Sequence, residues 1–148
     1  LQGLRAGLSD QGWTMDETPA EPFALVTTRR LDLHVYHGLC WQTDALDVDA
    51  IRNADALSRQ VAEKLAGWLP SVGFFTIAAP RVDDPDAVAE AAEAASEGGL
   101  RARVLLPVDL QRGLAIDRHV PEQWRNSNDP GDFVLNVRIA AGGGTAEL

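Results

Sequence analysis

Apolar residues at helical spacing predict where this chain forms helices. The clearest stripe recurs at steps of three and four residues, at Ile51, Ala54, Leu57, Val61, Leu65 and Leu69. This spacing is typical of an amphipathic helix of about five turns. Asp47 or Asp49 is expected to cap its start, and Pro70 is expected to end it.

Shorter signals indicate two further helices. Leucines at helical intervals within residues 1–11 predict an amino-terminal helix that ends at Gly12. Asp84, followed by Pro85, has the pattern of a helix start. The alanine-rich turns that follow are expected to end at the glycines 98–99.

The stretch from Phe23 to Trp41 is the longest extended-looking run in the chain. Its two halves, 23–28 and 31–37, both read as strands, with successive side chains on opposite faces. Arg29-Arg30 between them is expected to form a turn or a bulge. We predict a β-hairpin, and a single bent strand of about 15 residues is the alternative.

Two later apolar segments flank the alanine-rich helix and predict a parallel unit. Residues 72–79 are apolar on both faces, as in a central strand covered by helices on each side. Residues 102–108 alternate and predict a second strand. A strand–helix–strand crossover is right-handed, which makes these two strands parallel. Alternation from Phe133 to Ile139 predicts a last, partly exposed strand.

Together these elements predict a single α/β domain, with α+β as the alternative class. Its mixed sheet combines a β-hairpin with a parallel βαβ unit, and helices pack on the sheet. The domain is expected to cover residues 1–140, followed by a flexible glycine-rich tail at 141–148. Residues 109–132 show no sustained period. Loops of this length are often functional or lid-like, and a short helical turn is expected at 121–125.

The amino-acid composition argues against two classes of partner, nucleic acids and membranes. The 148-residue chain is 45% hydrophobic and has a formal net charge of −9. Such a charge repels phosphates unless a basic patch is segregated, so nucleic acid is not an expected partner. No apolar run reaches the about 18 residues of a membrane span, so no membrane partner is expected.

The charged residues are also unusual in kind. Lys64 is the single lysine beside 12 arginines, and aspartates outnumber glutamates 14 to 8. An acidic surface nearly free of lysine is typical of a halophilic protein, which stays soluble in high internal salt through its negative charge. A GC-rich genome, which replaces lysine by arginine, is the alternative explanation.

Cysteine usage and the amino terminus bear on the compartment. Cys40 is the single cysteine, which excludes an internal disulfide and suits a reducing interior. Residues 1–10 lack the apolar middle of a signal peptide. We therefore expect a soluble, cytoplasmic protein.

Polar side chains on the hairpin form the first candidate site. Alternation places Asp32, His34 and Tyr36 on one face of a strand. Asp32 and His34 are the candidate catalytic residues, because a carboxylate and an imidazole two residues apart can share a metal ion or a proton. Tyr36 is a candidate ligand-binding residue beside them. The alternative is a half-buried strand whose polar face is exposed to solvent and has no function.

The remaining histidines and the cysteine are not expected to form a catalytic or metal site. His37 is three residues from His34, which places it on the opposite face and argues against a shared metal ion. Cys40 is expected in the core rather than as a nucleophile. His119, in the long loop, is expected at the surface.

The carboxyl ends of the parallel strands offer a second candidate site, because ligands of open α/β sheets lie beyond those ends. The candidate ligand-binding residues there are Arg81, Asp83, Asp109 and Arg112. Mixed carboxylates and guanidinium groups suit a magnesium-dependent phosphate site or a hydrogen-bonded polar ligand. Helix caps and solvated loops are the alternative.

A further short strand is expected at residues 13–18. The resulting order helix, three strands, helix, strand over residues 1–79 is similar to the core of the restriction-endonuclease-like nucleases. That family carries a metal-binding acid on one strand, and an acid, a spacer and a lysine on the next. Asp32-Leu33-His34 would take the second motif, with His34 in place of the lysine. Residues 24–28 carry no acid, although Glu21 lies just before them. The resemblance implies this fold and favours a degenerate, non-catalytic member.

Two functions are predicted. The first is a non-catalytic binding or assembly module, with a protein partner or self-association and no cofactor. Four tryptophans, at positions 13, 41, 68 and 124, support it, because exposed aromatics commonly mark interfaces. The alternative is a phosphodiester hydrolase that depends on Mg²⁺ or Mn²⁺. In it Asp32 is the metal ligand and His34 a general base or second ligand.

Overall fold

The computed structural model describes residues 2–31, 33–65, 67, 69–122 and 133–142. Within these residues the helices are α1 (Gln2–Asp10), α2 (Val48–Leu65), α3 (Pro85–Ala95) and α4 (Phe133–Gly142). The strands are β1 (Thr14–Met15), β2 (Leu25–Leu31), β3 (His34–Gln42), β4 (Ser71–Ala79), β5 (Arg101–Asp109) and β6 (Leu114–Ala115).

The strands form one six-stranded mixed sheet in sequence order, from β1 to β6. The strands β1, β2 and β3 pair antiparallel, and β2 with β3 is the predicted hairpin. The turn lies later than predicted. Leu31 pairs with His34, so Arg29 and Arg30 lie inside β2 rather than in a turn.

The parallel centre of the sheet confirms the predicted α/β class. Strand β4 pairs parallel with both β3 and β5, and β6 closes the far side antiparallel. Helix α2 connects β3 to β4, and α3 connects β4 to β5. Central β4 is buried on both faces, which explains its unbroken apolar sequence.

Helices cover both faces of the sheet and divide the core in two. On one face, α1 and α4 pack over residues that include Cys40, Phe74 and Leu106. On the other face, α2 and α3 pack over residues that include Leu39 and Phe75. Alternation along each strand therefore decides which pair of helices a side chain meets.

The predicted caps position the helices of the second face. Asp47 Oδ1 accepts a hydrogen bond from the Ala50 N–H at 2.8 Å, at the start of α2. Asp84 caps α3, and Pro85 occupies its first turn. Helix α3 ends at Ala95, three residues before the expected glycines, because the backbone becomes extended at Ser96, with φ −78° and ψ 141°.

The last apolar segment is a helix, so the predicted strand over Phe133–Ile139 is wrong. The buried positions of α4 are Phe133, Val134, Asn136, Val137, Ala140 and Ala141. Burial at steps of three and four residues is helical. Helix α4 also extends two residues into the predicted tail, whose remainder, 143–148, lies outside the described residues.

Gly38 on β3 makes room for helix α4. The Phe133 ring lies over Gly38 and stacks on Phe74, with ring centroids 5.5 Å apart. Trp13 packs against the same ring at 5.5 Å. A side chain at position 38 would occupy the space of the Phe133 ring.

Two of the four tryptophans belong to the core. Trp13 is 4% exposed and Trp41 7% exposed, so neither offers an interface aromatic. Trp68 and Trp124 lie outside the described residues, as does most of the predicted turn at 121–125. In the described part of the chain, no helix is long and apolar enough to cross a membrane.

The outer edge of β5 is covered by short segments of the chain. Glu97 and Arg103 exchange two backbone hydrogen bonds of 2.7 Å. The Leu105 N–H donates to Ser96 Oγ at 3.0 Å, and a His119 ring nitrogen contacts the Leu105 carbonyl at 2.8 Å. Strand β6 pairs with the end of β5. Backbone groups along this edge are thus paired within the chain.

Candidate functional site

The register of the parallel strands places His37, Gly73 and Arg103 in one row. His37 pairs with Gly73, and Gly73 pairs with Arg103, across β3, β4 and β5. Residues in such a row point to the same face of a sheet. Here that face is the one covered by α2, and the Phe75 ring lies against the glycine, where a Cβ would come within 2.8 Å of it.

A cavity of about 500 Å³ lies over this row, between the sheet and α2, and is called the α2 cavity below. Its volume is within the usual range for small-molecule sites. Arg59, Ala62, Glu63 and Leu65 of α2 line one wall. Phe75 lies in the next row of the same face and forms the apolar back wall.

Arg103 is the most deeply buried charged group of the α2 cavity, with 3% of its surface exposed. Its Nη1 donates to Asp55 Oδ1 at 2.6 Å and to Ser58 Oγ at 2.7 Å. Its Nη2 contacts Glu97 Oε1 at 3.4 Å without hydrogen-bond geometry. Among the described residues, Nη2 therefore has no hydrogen-bond acceptor.

Four charged side chains form a closed ring that fixes this arginine. Arg59 contacts Asp55 at 3.1 Å and Glu97 at 3.0 Å, and Arg103 contacts the same two carboxylates. Each acid is shared by two arginines, so the ring is neutral. It holds α2 and residue 97 together at the edge of the cavity.

His37 also lines the α2 cavity. Its Nε2 is buried and has no hydrogen-bond partner among the described residues. Burial lowers the pKa of His37 from its ordinary value of 6.5, because a charged imidazole would lose hydration. The neutral ring can donate or accept at Nε2, depending on its tautomer.

The amino ends of β4 and β5 line the α2 cavity. Ser71 and Arg101 begin these strands and pair with each other, one row before Gly73 and Arg103. Arg101 donates a hydrogen bond to the Gly67 carbonyl. The α2 cavity thus lies at the opposite end of the parallel strands from the predicted rim.

The predicted hairpin site is only partly within the described residues. Asp32, the candidate catalytic and metal-binding acid, lies outside them. His34 is exposed, and its ring centroid lies 6.3 Å from that of the half-buried Tyr36. Tyr36 packs against the core under α1 and α4, on the opposite face from His37, as predicted. The catalytic role of Asp32 and His34 stays a prediction.

Each acid of the predicted rim is paired within its own turn. Arg81 Nε lies 3.3 Å from Asp83 Oδ1, and both side chains are largely exposed. Asp109 Oδ1 accepts from the backbone N–H of Arg112 at 3.1 Å, and its Oδ2 lies 3.7 Å from the Arg112 guanidinium. These contacts fit local turn stabilisation, and a ligand role for the four residues stays a prediction.

Cys40 and His119 are both shielded from water. Cys40 is a core residue, and burial raises the pKa of its thiol to about 12, which suppresses the reactive thiolate. His119 is half-buried against β5 rather than at the surface, and burial lowers its pKa. In the described part of the chain, no group of three or more His, Cys, Asp or Glu side chains is arranged to hold a metal ion.

The sequence carried a weak signal for the α2 cavity. Arg103 interrupts an otherwise apolar strand, and Gly73 interrupts another. An arginine in a buried strand needs partners, and a glycine in a strand often marks close approach of another group. What the sequence did not supply was the register that joins these positions to His37.

Comparisons with known proteins add no relative. A scan against models of protein families, a search of curated proteins and a search of solved structures each returned no match to this chain. Function is therefore inferred from the chemistry of the site itself.

Proposed function

We propose that this domain is a non-catalytic binding module that holds a small polar molecule in the α2 cavity. One observation carries the proposal: Arg103 and His37, which both line the α2 cavity, each have a buried polar atom without a hydrogen-bond partner among the described residues. These atoms are Arg103 Nη2 and His37 Nε2. Buried polar atoms are normally paired, because an unpaired one costs about 1–3 kcal/mol. A ligand that bonds to both atoms recovers this cost.

The chemistry of the lining favours binding over catalysis. Guanidinium groups stay protonated and therefore bind and orient a ligand rather than exchange protons with it. Three arginines line the α2 cavity: Arg59, Arg101 and Arg103. The ring of ion pairs holds the deepest of them in one position before a ligand arrives, which lowers the entropy cost of binding.

The amino-acid composition supports a proposal about the cellular compartment and about the salt content of the cell. A buried free cysteine and the absence of an internal disulfide suit a reducing, cytoplasmic compartment. A chain with one lysine and a net charge of −9 suits a salt-adapted proteome. Self-association or a protein partner remains part of the proposal, with sedimentation of the purified domain over a range of concentrations as its test.

A cavity-filling substitution tests the binding function. The test screens a fragment library against ¹⁵N-labelled protein, and bound fragments are expected to shift the backbone amide signals of His37, Gly73 and Arg103. Ala62→Phe places a ring in the α2 cavity from a helical position and is expected to abolish these shifts. Ala56→Phe, on the exposed face of the same helix, is the matched control and keeps them.

Two results would overturn the proposal. One is a screen in which no fragment moves the amide signals of the cavity. The other is binding that survives Ala62→Phe as well as it survives Ala56→Phe.

A further inference from the structure

Residues 116–120 cross the outer edge of β5 and are called the strap below. Ile116 packs against the core under α2 and α3, whereas Val120 is buried in the core under α1 and α4. The strap therefore passes from one face of the sheet to the other. We propose that His119 makes the strap pH-sensitive, so that it is closed on β5 in neutral solution and loosens in acid. This inference does not depend on the α2 cavity, which His119 does not line.

Two donors of the strap close the middle of the β5 edge. The Ile116 N–H donates to the Pro107 carbonyl at 2.8 Å, and His119 Nε2 lies 2.8 Å from the Leu105 carbonyl. A carbonyl only accepts, so Nε2 carries the hydrogen of the neutral ring. One of the two donors therefore belongs to a group that titrates near neutral pH, whereas the other is a backbone N–H that does not.

The other ring nitrogen determines how the strap responds to a proton. His119 Nδ1 is buried and has no hydrogen-bond partner among the described residues. A proton that binds there leaves the bond to Leu105 in place, but it creates a buried charge and an N–H without an acceptor. Both costs are relieved when the ring moves into water. The protonated ring therefore favours release from β5, which removes one of the two anchors of the strap.

The charged groups that face the ring do not cancel this effect. Burial lowers the pKa of His119 from its ordinary value of 6.5. It outweighs the Leu105 carbonyl, Glu93 of α3 and Asp117 of the strap, which all favour the charged ring. Arg118 repels a proton on the ring and adds to the lowering of the pKa.

Two of those charged groups are paired with neighbouring helices. Arg118 lies 3.4 Å from Asp86 of α3, and Asp117 lies 3.1 Å from Arg138 of α4. Asp117 thus shares its charge with a guanidinium, which weakens its attraction for a proton on His119.

The sign of the pH effect follows from the lowered pKa. When the strap opens, the imidazole enters water and its pKa returns to the ordinary value of 6.5. The open form then binds a proton more tightly than the closed form does. As the pH falls through 6.5, protons shift the equilibrium toward the open form, and above that pH the closed form keeps its full stability.

Amide hydrogen exchange, followed by NMR, tests the strap at single residues. The Ile116 N–H is protected while it stays bonded to the Pro107 carbonyl. From about pH 7.5 to about pH 5.5, its protection is expected to fall by about threefold or more, after correction for the intrinsic pH dependence of exchange. Ile77, in central β4, is expected to exchange more slowly than Ile116 at both pH values, because its exchange requires global unfolding.

Two variants assign the effect to one histidine. His119→Gln keeps a side-chain N–H donor but does not titrate, so protection at Ile116 is expected to become nearly independent of pH. His37→Gln removes the other half-buried imidazole, on β3, and is the matched control that keeps the pH dependence. NMR titration of the His119 ring in the unmodified protein is expected to give a pKa below 6.5 and requires no variant.

The strap is not a pH-sensitive device if Ile116 is equally protected at both pH values, or if it exchanges only as slowly as Ile77. A fall in protection that is as large in His119→Gln as in His37→Gln would also contradict the proposal. Should His119→Gln fail to fold, a ring pKa of His119 at or above 6.5 in the unmodified protein has the same consequence.

Discussion

Two glycines on neighbouring strands of the sheet each make room for an aromatic ring. Gly38 faces α4, and the space above it is filled by the Phe133 ring. Gly73 faces α2, and a Cβ at position 73 would come within 2.8 Å of the Phe75 ring. The same residue type therefore permits close packing of a ring on both faces of the sheet.

Gly38→Ala tests the packing role. The added methyl group would collide with a buried ring that Trp13 and Phe74 hold on two sides, so the ring cannot move freely. We expect the free energy of unfolding to fall by about 2–3 kcal/mol, or more, measured by urea denaturation. Gly98→Ala, where a methyl group meets nothing within 4 Å, is the control and is expected to change stability little. Equal stability of the two variants would contradict the packing role.

For single residues, the sequence predicted the face of the sheet on which each lies but not its neighbours on other strands. Alternation correctly placed His34 and His37 on opposite faces and Cys40 in the core, because these assignments depend only on neighbours in the chain. The grouping of His37 with Arg103 depends on pairing between β3, β4 and β5. Nothing in the spacing of residues 37, 73 and 103 determines that register.

Among the elements, α3 depends on an unusual amino-terminal cap. Asp84 accepts a hydrogen bond from the Ala87 N–H at 3.2 Å while its own backbone has a φ of 53°. Aspartate and asparagine tolerate this left-handed conformation better than other residues with a side chain. The cap therefore combines a hydrogen bond with a backbone constraint.

Asp84→Ala loses both contributions and is expected to lower the free energy of unfolding by about 2 kcal/mol. Asp84→Asn keeps a capping oxygen and tolerates the conformation, so a change within about 0.5 kcal/mol is expected. Thermal or urea unfolding of the two variants measures the difference. A cost as large for Asn as for Ala would show that the negative charge matters rather than the cap.

Helix α4 shows why one predicted element had the wrong type. Phe133, Leu135, Val137 and Ile139 alternate as in a strand, and β-branched residues favour strands. The helix instead buries Val134, Ala140 and Ala141 along with Phe133. Small alanines carry little weight in a hydrophobic pattern, so a short apolar run fits both periods. Packing against α1 and the sheet decided between them.

At the scale of the whole molecule, two half-buried histidines couple stability to pH. Burial lowers the pKa of both His37 and His119 in the folded state. The unfolded chain therefore binds protons first as the pH falls through 6.5, the ordinary value. Since the state that binds more protons is favoured at low pH, stability is lost as the pH falls.

We expect the free energy of unfolding to decrease between about pH 7.5 and about pH 5.5, above the range in which most carboxylates titrate. Urea denaturation at a series of pH values measures it. The double variant His37→Gln with His119→Gln is expected to give a flatter profile, because no buried imidazole remains to exclude a proton. A slope unchanged in the double variant would assign the pH dependence to other groups.

The fold was more predictable than the site for a physical reason. Helix stripes, caps and the central apolar strand are local patterns, and they correctly indicated a mixed sheet with a hairpin and a parallel unit. The α2 cavity is assembled from α2, three strands and residue 97, which are distant in sequence. The expected site at the carboxyl ends of the strands followed a general rule for α/β sheets, whereas this cavity lies at their amino ends.

The covered edge of β5 limits how this protein can join other chains. An uncovered edge strand recruits strands from neighbouring molecules, through partner binding or through aggregation. To add a strand at β5, another chain would first have to displace Ser96, Glu97 and His119 from their hydrogen bonds. Any self-association is therefore expected to use side-chain surfaces or the two end strands, β1 and β6. If residues 96–97 detached from β5, the backbone groups of that edge would be free to pair with strands of other molecules, which is how fibres grow.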